Sequence, residues 1–126
     1  MADSKTILIA DDEPNIVISL EFLMKREGYR VVIAVDGEEA LDKIRSESPD
    51  LVLLDVMMPK KSGFEVCQEV KADPALAATR ILMLTAKGRD TEMAKGLALG
   101  ANAYVTKPFS TKDLVDKVRE LLGAPA

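Results

Sequence analysis

The chain of 126 residues is 48% apolar and 30% charged, with 21 acidic against 17 basic residues and a formal charge of −4. This balance suits one globular domain around one core and argues against wholesale disorder or a basic, nucleic-acid-binding surface. There is no histidine and a single cysteine, Cys67, which excludes Ser-His and Cys-His catalytic pairs, histidine-ligated metals, a phosphohistidine on this chain and an internal disulfide.

In chain order, Thr6 to Ala10 is an Ile- and Leu-rich run predicted as the first strand. It closes on Asp11-Asp12-Glu13-Pro14, whose acids and proline also suit the start of a helix. Ile16, Leu20, Leu23 and Met24 then share a helical face, and Gly28 stands where a left-handed residue would end that helix. Arg30 to Ala34 is the second strand, and Asp36-Gly37 beyond it reads as a turn. Ala40, Leu41 and Ile44 mark a second helix. The third strand, Leu51 to Leu54, stops on a lone carboxylate, Asp55. Val66, Cys67 and Val70 form the inner face of a third helix, with the cysteine as a small core residue rather than a nucleophile. Arg80 to Thr85 is the fourth strand, Met93, Leu97 and Ala98 the inner face of a fourth helix, and Gly100 its stop. Ala103 to Thr106 is the fifth strand, followed by Lys107. Leu114, Val115, Val118 and Leu122 line a last helix, which Ser110 and Asp113 open with capping-box spacing.

The strand segments show no strict in/out alternation, as expected of parallel strands covered on both faces. Five strands alternating with five helices imply an α/β sheet with crossover connections. A single domain over residues 1 to 126 is expected, with its core from Lys5 to Leu122, a short tail from Gly123 to Ala126 and no sign of a second domain. No apolar run approaches the ~20 residues needed to span a bilayer, and the run after Lys5 is too short for a signal-peptide core. A cytoplasmic protein is therefore expected, with no membrane contact and no direct nucleic-acid binding.

Ligands of such sheets bind beyond the carboxyl ends of the strands. Those ends carry Asp11 and Asp12, Asp55, Thr85 and Lys107. Each alone reads as readily as a loop or helix-start residue; together they place three acids, a hydroxyl and an amine on one edge. If the first and third strands are neighbours, the acids converge, and two carboxylates about 4 Å apart repel by roughly 4 kcal/mol at an effective dielectric of 20. An all-oxygen cluster selects a hard ion: Mg²⁺, with Mn²⁺ or Ca²⁺ as alternatives. Three acids, a divalent ion and Lys107 sum to zero charge, a site ready for an anionic group such as phosphoryl. Asp55, alone at the end of the central strand, is the candidate nucleophile.

The segments ILIADDE, LVLLDVMMPKKSG, ILMLTA and YVTKPF, in this order, resemble the motifs of the receiver domain of two-component response regulators, and the resemblance covers Lys5 to Leu122. It implies a doubly wound, flavodoxin-like sheet of strand order 2-1-3-4-5. By the same resemblance Asp55 is the phosphoacceptor, charged by a phosphohistidine on a sensor histidine kinase or histidine phosphotransfer protein. Mg²⁺, or Mn²⁺, would be held by Asp12 directly, by Asp11 through water, by Asp55 and by the backbone carbonyl of Met57. Lys107, joined to Pro108 by a cis peptide bond, would pair with the phosphoryl group. Thr85 and Tyr104 would form a switch that reshapes the face of the fourth helix, fifth strand and fifth helix for a downstream protein, and a phosphorylation-dependent dimer stays open. Such a domain is no enzyme beyond its own phosphorylation and dephosphorylation. Met57 and Lys87 occupy the positions where the family tunes the lifetime of the acyl phosphate, and Lys60-Lys61-Ser62 adds charge that bears on partner choice. The alternatives are a degenerate receiver that only binds proteins and a haloacid-dehalogenase-like phosphatase, which resembles the chain less because residue 57 is Met. A flavin module is disfavoured because Asp-Asp-Glu-Pro would repel a flavin phosphate.

Overall fold

The computed structural model describes residues 5–86 and 90–123. Five strands and five helices alternate: β1 (Thr6–Ala10), α1 (Pro14–Arg26), β2 (Arg30–Ala34), α2 (Gly37–Glu47), β3 (Leu51–Asp55), α3 (Gly63–Ala72), β4 (Arg80–Ala86), α4 (Asp90–Ala98), β5 (Ala103–Lys107) and α5 (Thr111–Leu122). All neighbouring strands are parallel, in the order β2-β1-β3-β4-β5. The doubly wound, flavodoxin-like arrangement implied by the motifs is therefore the fold of the chain.

Parallel neighbours need a crossover helix, and the direction of travel along the sheet decides which face each helix covers. The chain steps one way from β1 to β2, then reverses and steps from β3 through β5 in the other. Alternate residues of the strands consequently meet different helices. Ile7, Ile9, Leu51, Leu53, Leu82 and Leu84 pack with Leu20, Leu23 and Met24 of α1 and with Leu114, Val115 and Val118 of α5. Leu8, Ala10, Val52, Leu54, Ile81 and Met83 pack with Ala40, Leu41 and Ile44 of α2 and Val66, Cys67 and Val70 of α3. Both parities of β1, β3 and most of β4 are thus in apolar surroundings, which is why these strands read as unbroken apolar runs. Filling a side chain of this size into the core is worth about 1.5–3 kcal/mol relative to exposure, so these strands are the most firmly held part of the molecule.

The helix punctuation follows the sequence at most ends. Gly28 and Gly100 have φ of +93° and +108°, and the Ser110 hydroxyl accepts from the Asp113 amide at 3.0 Å. The Lys107–Pro108 peptide bond is cis. Two features differ from the sequence reading. Asp36-Gly37 is not a free turn: Asp36 is the N-cap of α2, its carboxylate accepting from the Glu39 amide at 2.8 Å. The fourth helix does not bury Met93, Leu97 and Ala98 as its inner face; Leu97 and Ala98 are exposed and Gly96 is the buried position. The reason is steric. A Cβ on Gly96 would lie 3.3 Å from Met83 Cγ, so α4 presents its one residue without a side chain to the sheet and turns Leu97 outward.

Gly63 is the fold's direct link to the end of β3. Its amide donates to the Val56 carbonyl at 2.9 Å, and a Cβ there would stand 2.3 Å from the Asp55 carbonyl oxygen. Alanine normally favours a helix over glycine by about 0.5–1 kcal/mol, but overpacking against backbone costs about 1–3 kcal/mol, and the clash wins. Gly63→Ala is expected to lower unfolding free energy by about 1–2 kcal/mol in urea titrations; an unchanged or raised midpoint would contradict this packing.

Candidate phosphoacceptor and cation site

β1 and β3 are neighbours at the point where the direction of travel reverses, with Ala10 opposite Leu54. Their next residues are therefore side by side at one sheet edge. Asp11 is fully buried; its amide donates to Ala34 O at 3.2 Å, and its Oδ1 accepts from the Glu13 amide at 2.9 Å, turning the chain into α1. Asp55 is 6% exposed and is the last residue of β3 rather than the first of the loop. Its Oδ1 accepts from the Met57 amide at a long 3.4 Å. Asp12 is exposed, yet one carboxylate oxygen from each of Asp11, Asp12 and Asp55 falls within a common span of 4.8 Å.

Lys107 ends β5 and reaches across β4 to this cluster. Its Nζ lies 2.9 Å from Asp11 Oδ2, 3.0 Å from Glu13 Oε1 and 3.4 Å from Asp55 Oδ1. Burial alone would lower the lysine's pKa, but the close contacts with Asp11 and Glu13 and the charges of Asp55 and Asp11 outweigh it, so the ammonium is held charged. Asp55 shifts the other way for a carboxylate: burial first, then the Asp11 charge, push it up to about 7 against the pull of Lys107 and the Met57 amide. One ammonium does not neutralise the group.

The donor set fits a hard cation. It is all oxygen, and Asp11 Oδ2 is a buried atom with only the ion contact to Lys107 and no aligned hydrogen-bond donor. Thr85, one residue beyond the Leu84 that pairs with Asp55, is 1% exposed, and its buried hydroxyl has no hydrogen-bond partner among the described residues. An orphaned buried hydroxyl costs about 1–3 kcal/mol in general and is normally avoided.

The residues singled out in the sequence are thus brought to one edge, with two exceptions. Tyr104 lies three residues back along β5, 40% exposed and opposite Met83, away from the carboxylates. Lys87 lies outside the described residues, as do Met1–Ser4 and Ala124–Ala126. Met57 is 70% exposed. Lys60 and Lys61 turn out to have internal partners: Lys60 stands 3.8 Å from Asp36 and 3.9 Å from Glu38, while Lys61 binds Glu69 at 2.7 Å and Ser62 forms a full capping box with Glu65. Glu13 is the contact that sequence reasoning missed. It was read only as a helix-start charge, and its one legible signal was its place beside two other acids.

A carboxylate cluster that fits a hard cation, with a lysine beside it, stands at the carboxyl edge of a doubly wound 2-1-3-4-5 sheet. Residues 7–119 match the model of the response regulator receiver domain family. The chain belongs to that family. It is 46% identical over 119 residues to the alkaline phosphatase synthesis transcriptional regulatory protein PhoP of Bacillus subtilis, an alignment that takes in 94% of this chain and 49% of that protein. The chain therefore spans about half the length of that relative. Among solved structures it is similar to the chemotaxis protein CheY4 of Vibrio cholerae, with TM-score 0.88 and 32% identity over 95% of this chain and 100% of the other. A CheY-like receiver domain protein of Methanospirillum hungatei aligns equally well, with TM-score 0.88 and 32% identity over 95% of this chain and 94% of that one.

The raised Asp55 pKa has a measurable consequence for the metal-free protein. Between the ordinary carboxylate value of 3.8 and about 7, the folded state binds more protons at Asp55 than the unfolded state, so stability falls as pH rises through this window. Asp55→Asn removes the penalty. In EDTA at pH 8 the variant is expected to be more stable than wild type by on the order of a few kcal/mol, with the difference vanishing near pH 4. Equal melting temperatures at pH 8 would show that ionised Asp55 is not strained.

Proposed function

We propose that the chain is a phosphorylation-controlled switch in which Asp55 accepts a phosphoryl group from a phosphohistidine on a sensor kinase or phosphotransfer protein. The observation that carries the reading is the buried Asp55 carboxylate with the Lys107 ammonium 3.4 Å away, at the sheet edge where the buried Thr85 hydroxyl has no hydrogen-bond partner among the described residues. An Asp55 carboxylate oxygen attacks phosphorus; the new O–P bond forms as the P–N bond to the donor imidazole breaks, and the imidazole nitrogen keeps the electron pair and takes a proton. Lys107 offsets charge on the transferred group, and the Thr85 hydroxyl donates to one of its oxygens. Both leave the resting arrangement to do so.

Asp11, Asp12, Asp55 and the Met57 carbonyl would hold Mg²⁺, or Mn²⁺ in its place. When bound, the cation supplies positive charge for the phosphoryl oxygens that one lysine does not. Thr85 moving towards the new group vacates space at the end of β4, and Tyr104 turning inward from its exposed position is the matching step on β5. Leu97 on α4 and Tyr104 are exposed apolar residues on this side, 43% and 40% accessible, which supports a protein partner for the α4–β5–α5 face. Phosphorylation-dependent dimerisation through that face belongs to the same reading.

Among the described residues no helix is long and apolar enough to cross a membrane, in keeping with a proposed cytoplasmic site of action. The Bacillus subtilis relative is a transcriptional regulatory protein about twice as long. The net negative charge of this chain is accordingly no ground for excluding a role in transcription. Within the family reading the chain acts as one receiver domain and carries out only its own phosphorylation and dephosphorylation.

Incubation with acetyl phosphate and Mg²⁺ is expected to add about 80 Da to the intact mass, the increment of one phosphoryl group. Asp55→Asn should gain nothing. No adduct on wild type, or an equal adduct on the variant, would refute the acceptor assignment. For the cation, a Mg²⁺ titration followed by amide NMR should shift signals around Asp12, Asp55 and Met57, and Asp12→Ala should abolish the response. Retained affinity in that variant would remove Asp12 from the ligand set.

A further inference from the structure

Glu13 is the N-cap residue of α1, but its side chain makes no capping hydrogen bond. Its Oε1 instead accepts from Lys107 Nζ at 3.0 Å, across 94 residues of sequence. An ammonium has three donors and no more. Here one is donated to Glu13 at 3.0 Å, while Asp11 at 2.9 Å and Asp55 at 3.4 Å crowd the same ammonium as ion contacts. A phosphoryl oxygen must therefore compete with three carboxylates for the Lys107 ammonium. Asp11 is fully buried and cannot turn to water, and Asp55 is the acceptor itself. The Glu13 side chain is 59% exposed, so it can exchange the lysine for solvent at small cost.

We propose that Glu13 is a positioning residue that holds the Lys107 ammonium in competition with the incoming phosphoryl group, and so sets how readily the site fills. The inference rests on the reading of Asp55 as phosphoacceptor. Glu13 also alters the charge balance. Asp11, Asp12, Glu13 and Asp55 against Lys107 and one divalent ion leave a net charge of −1, where the three aspartates alone gave zero. An anionic donor thus meets a site with one negative charge too many. Glu13→Gln restores neutrality and reduces the hold on Lys107 from an ion pair to a neutral hydrogen bond, while keeping side-chain size.

The test uses the whole chain and beryllofluoride, which activates a solved receiver domain of 32% identity. At saturating Mg²⁺, Glu13→Gln is expected to bind beryllofluoride about two- to fivefold more tightly than wild type, the size expected for a half-exposed ion pair. The gain should shrink at high salt. Glu13→Asp keeps the charge but shortens the reach, and should fall between the two. In EDTA, the ammonium NMR signal of Lys107 should move in Glu13→Gln. A purely structural role for Glu13 would weaken beryllofluoride and Mg²⁺ binding together and lower the melting temperature. Binding by Glu13→Gln that equals or falls below wild type, or an unmoved Lys107 signal, overturns the proposal. Wild-type protein that binds Mg²⁺ but takes no beryllofluoride would instead refute the acceptor reading, and the Lys107 signal in EDTA would still decide whether Glu13 holds the lysine.

Discussion

Everything at the reactive edge follows from one constraint: too many carboxylates share one ammonium in a place with little water. The reversal of the chain between β2 and β3 makes β1 and β3 neighbours, and parallel pairing then sets Asp11 and Asp55 at the same height. Their repulsion is paid for by Lys107 only in part, which leaves Asp55 reluctant to ionise and Asp11 with an oxygen that lacks a donor. A folded protein tolerates this because the strands beneath are buried on both faces and cannot slide apart without losing their apolar contacts. The stable core is thus what allows an unstable edge.

The same rigidity sharpens the role of the turn after β3. Gly63 lets the first residue of α3 come within contact of the Asp55 backbone, and the Ser62–Glu65 capping box fixes the direction in which α3 leaves. Lys60 and Lys61 tie that turn to the start of α2 and to Glu69 on α3. Asp55 is consequently placed by backbone contacts on one side and strand pairing on the other. On the proposed reading, a residue fixed in this way takes the phosphoryl group without moving, and the response comes from neighbours such as Lys107.

Much of this was legible in the amino-acid sequence. Apolar runs ended on Asp11, Asp55, Thr85 and Lys107, and parallel sheets gather such residues at one edge, so the cluster followed from strand ends once β1 and β3 were adjacent. The adjacency came from family motifs, since strand order leaves no mark in a local pattern. Asp36 was misread because Asp-Gly is an equally good turn and helix start, and only the Glu39 amide decides between them. The inner face of α4 differs because periodicity weighs side chains by hydrophobicity, whereas the contact with Met83 leaves little room for a side chain at position 96. Glu13 was invisible as a partner of Lys107 for the simplest reason: ion pairs between residues 94 apart have no sequence signature.

The glycine contact of α4 has a wider implication. Gly96 is the one buried position among the described side chains of this helix, and the cation over a ring, Lys95 above Phe64 at 4.6 Å, is a surface contact. A helix that seats a glycine rather than a leucine loses little apolar area when it tilts or opens, so its local unfolding free energy sits well below that of the molecule as a whole. Amide exchange in α4 should accordingly proceed through small openings while β1 and β3 exchange only on global unfolding. This helix, packed against β4 and β5, is also the one that buries the fewest side chains among the described residues, which makes it the easiest element of the fold to displace.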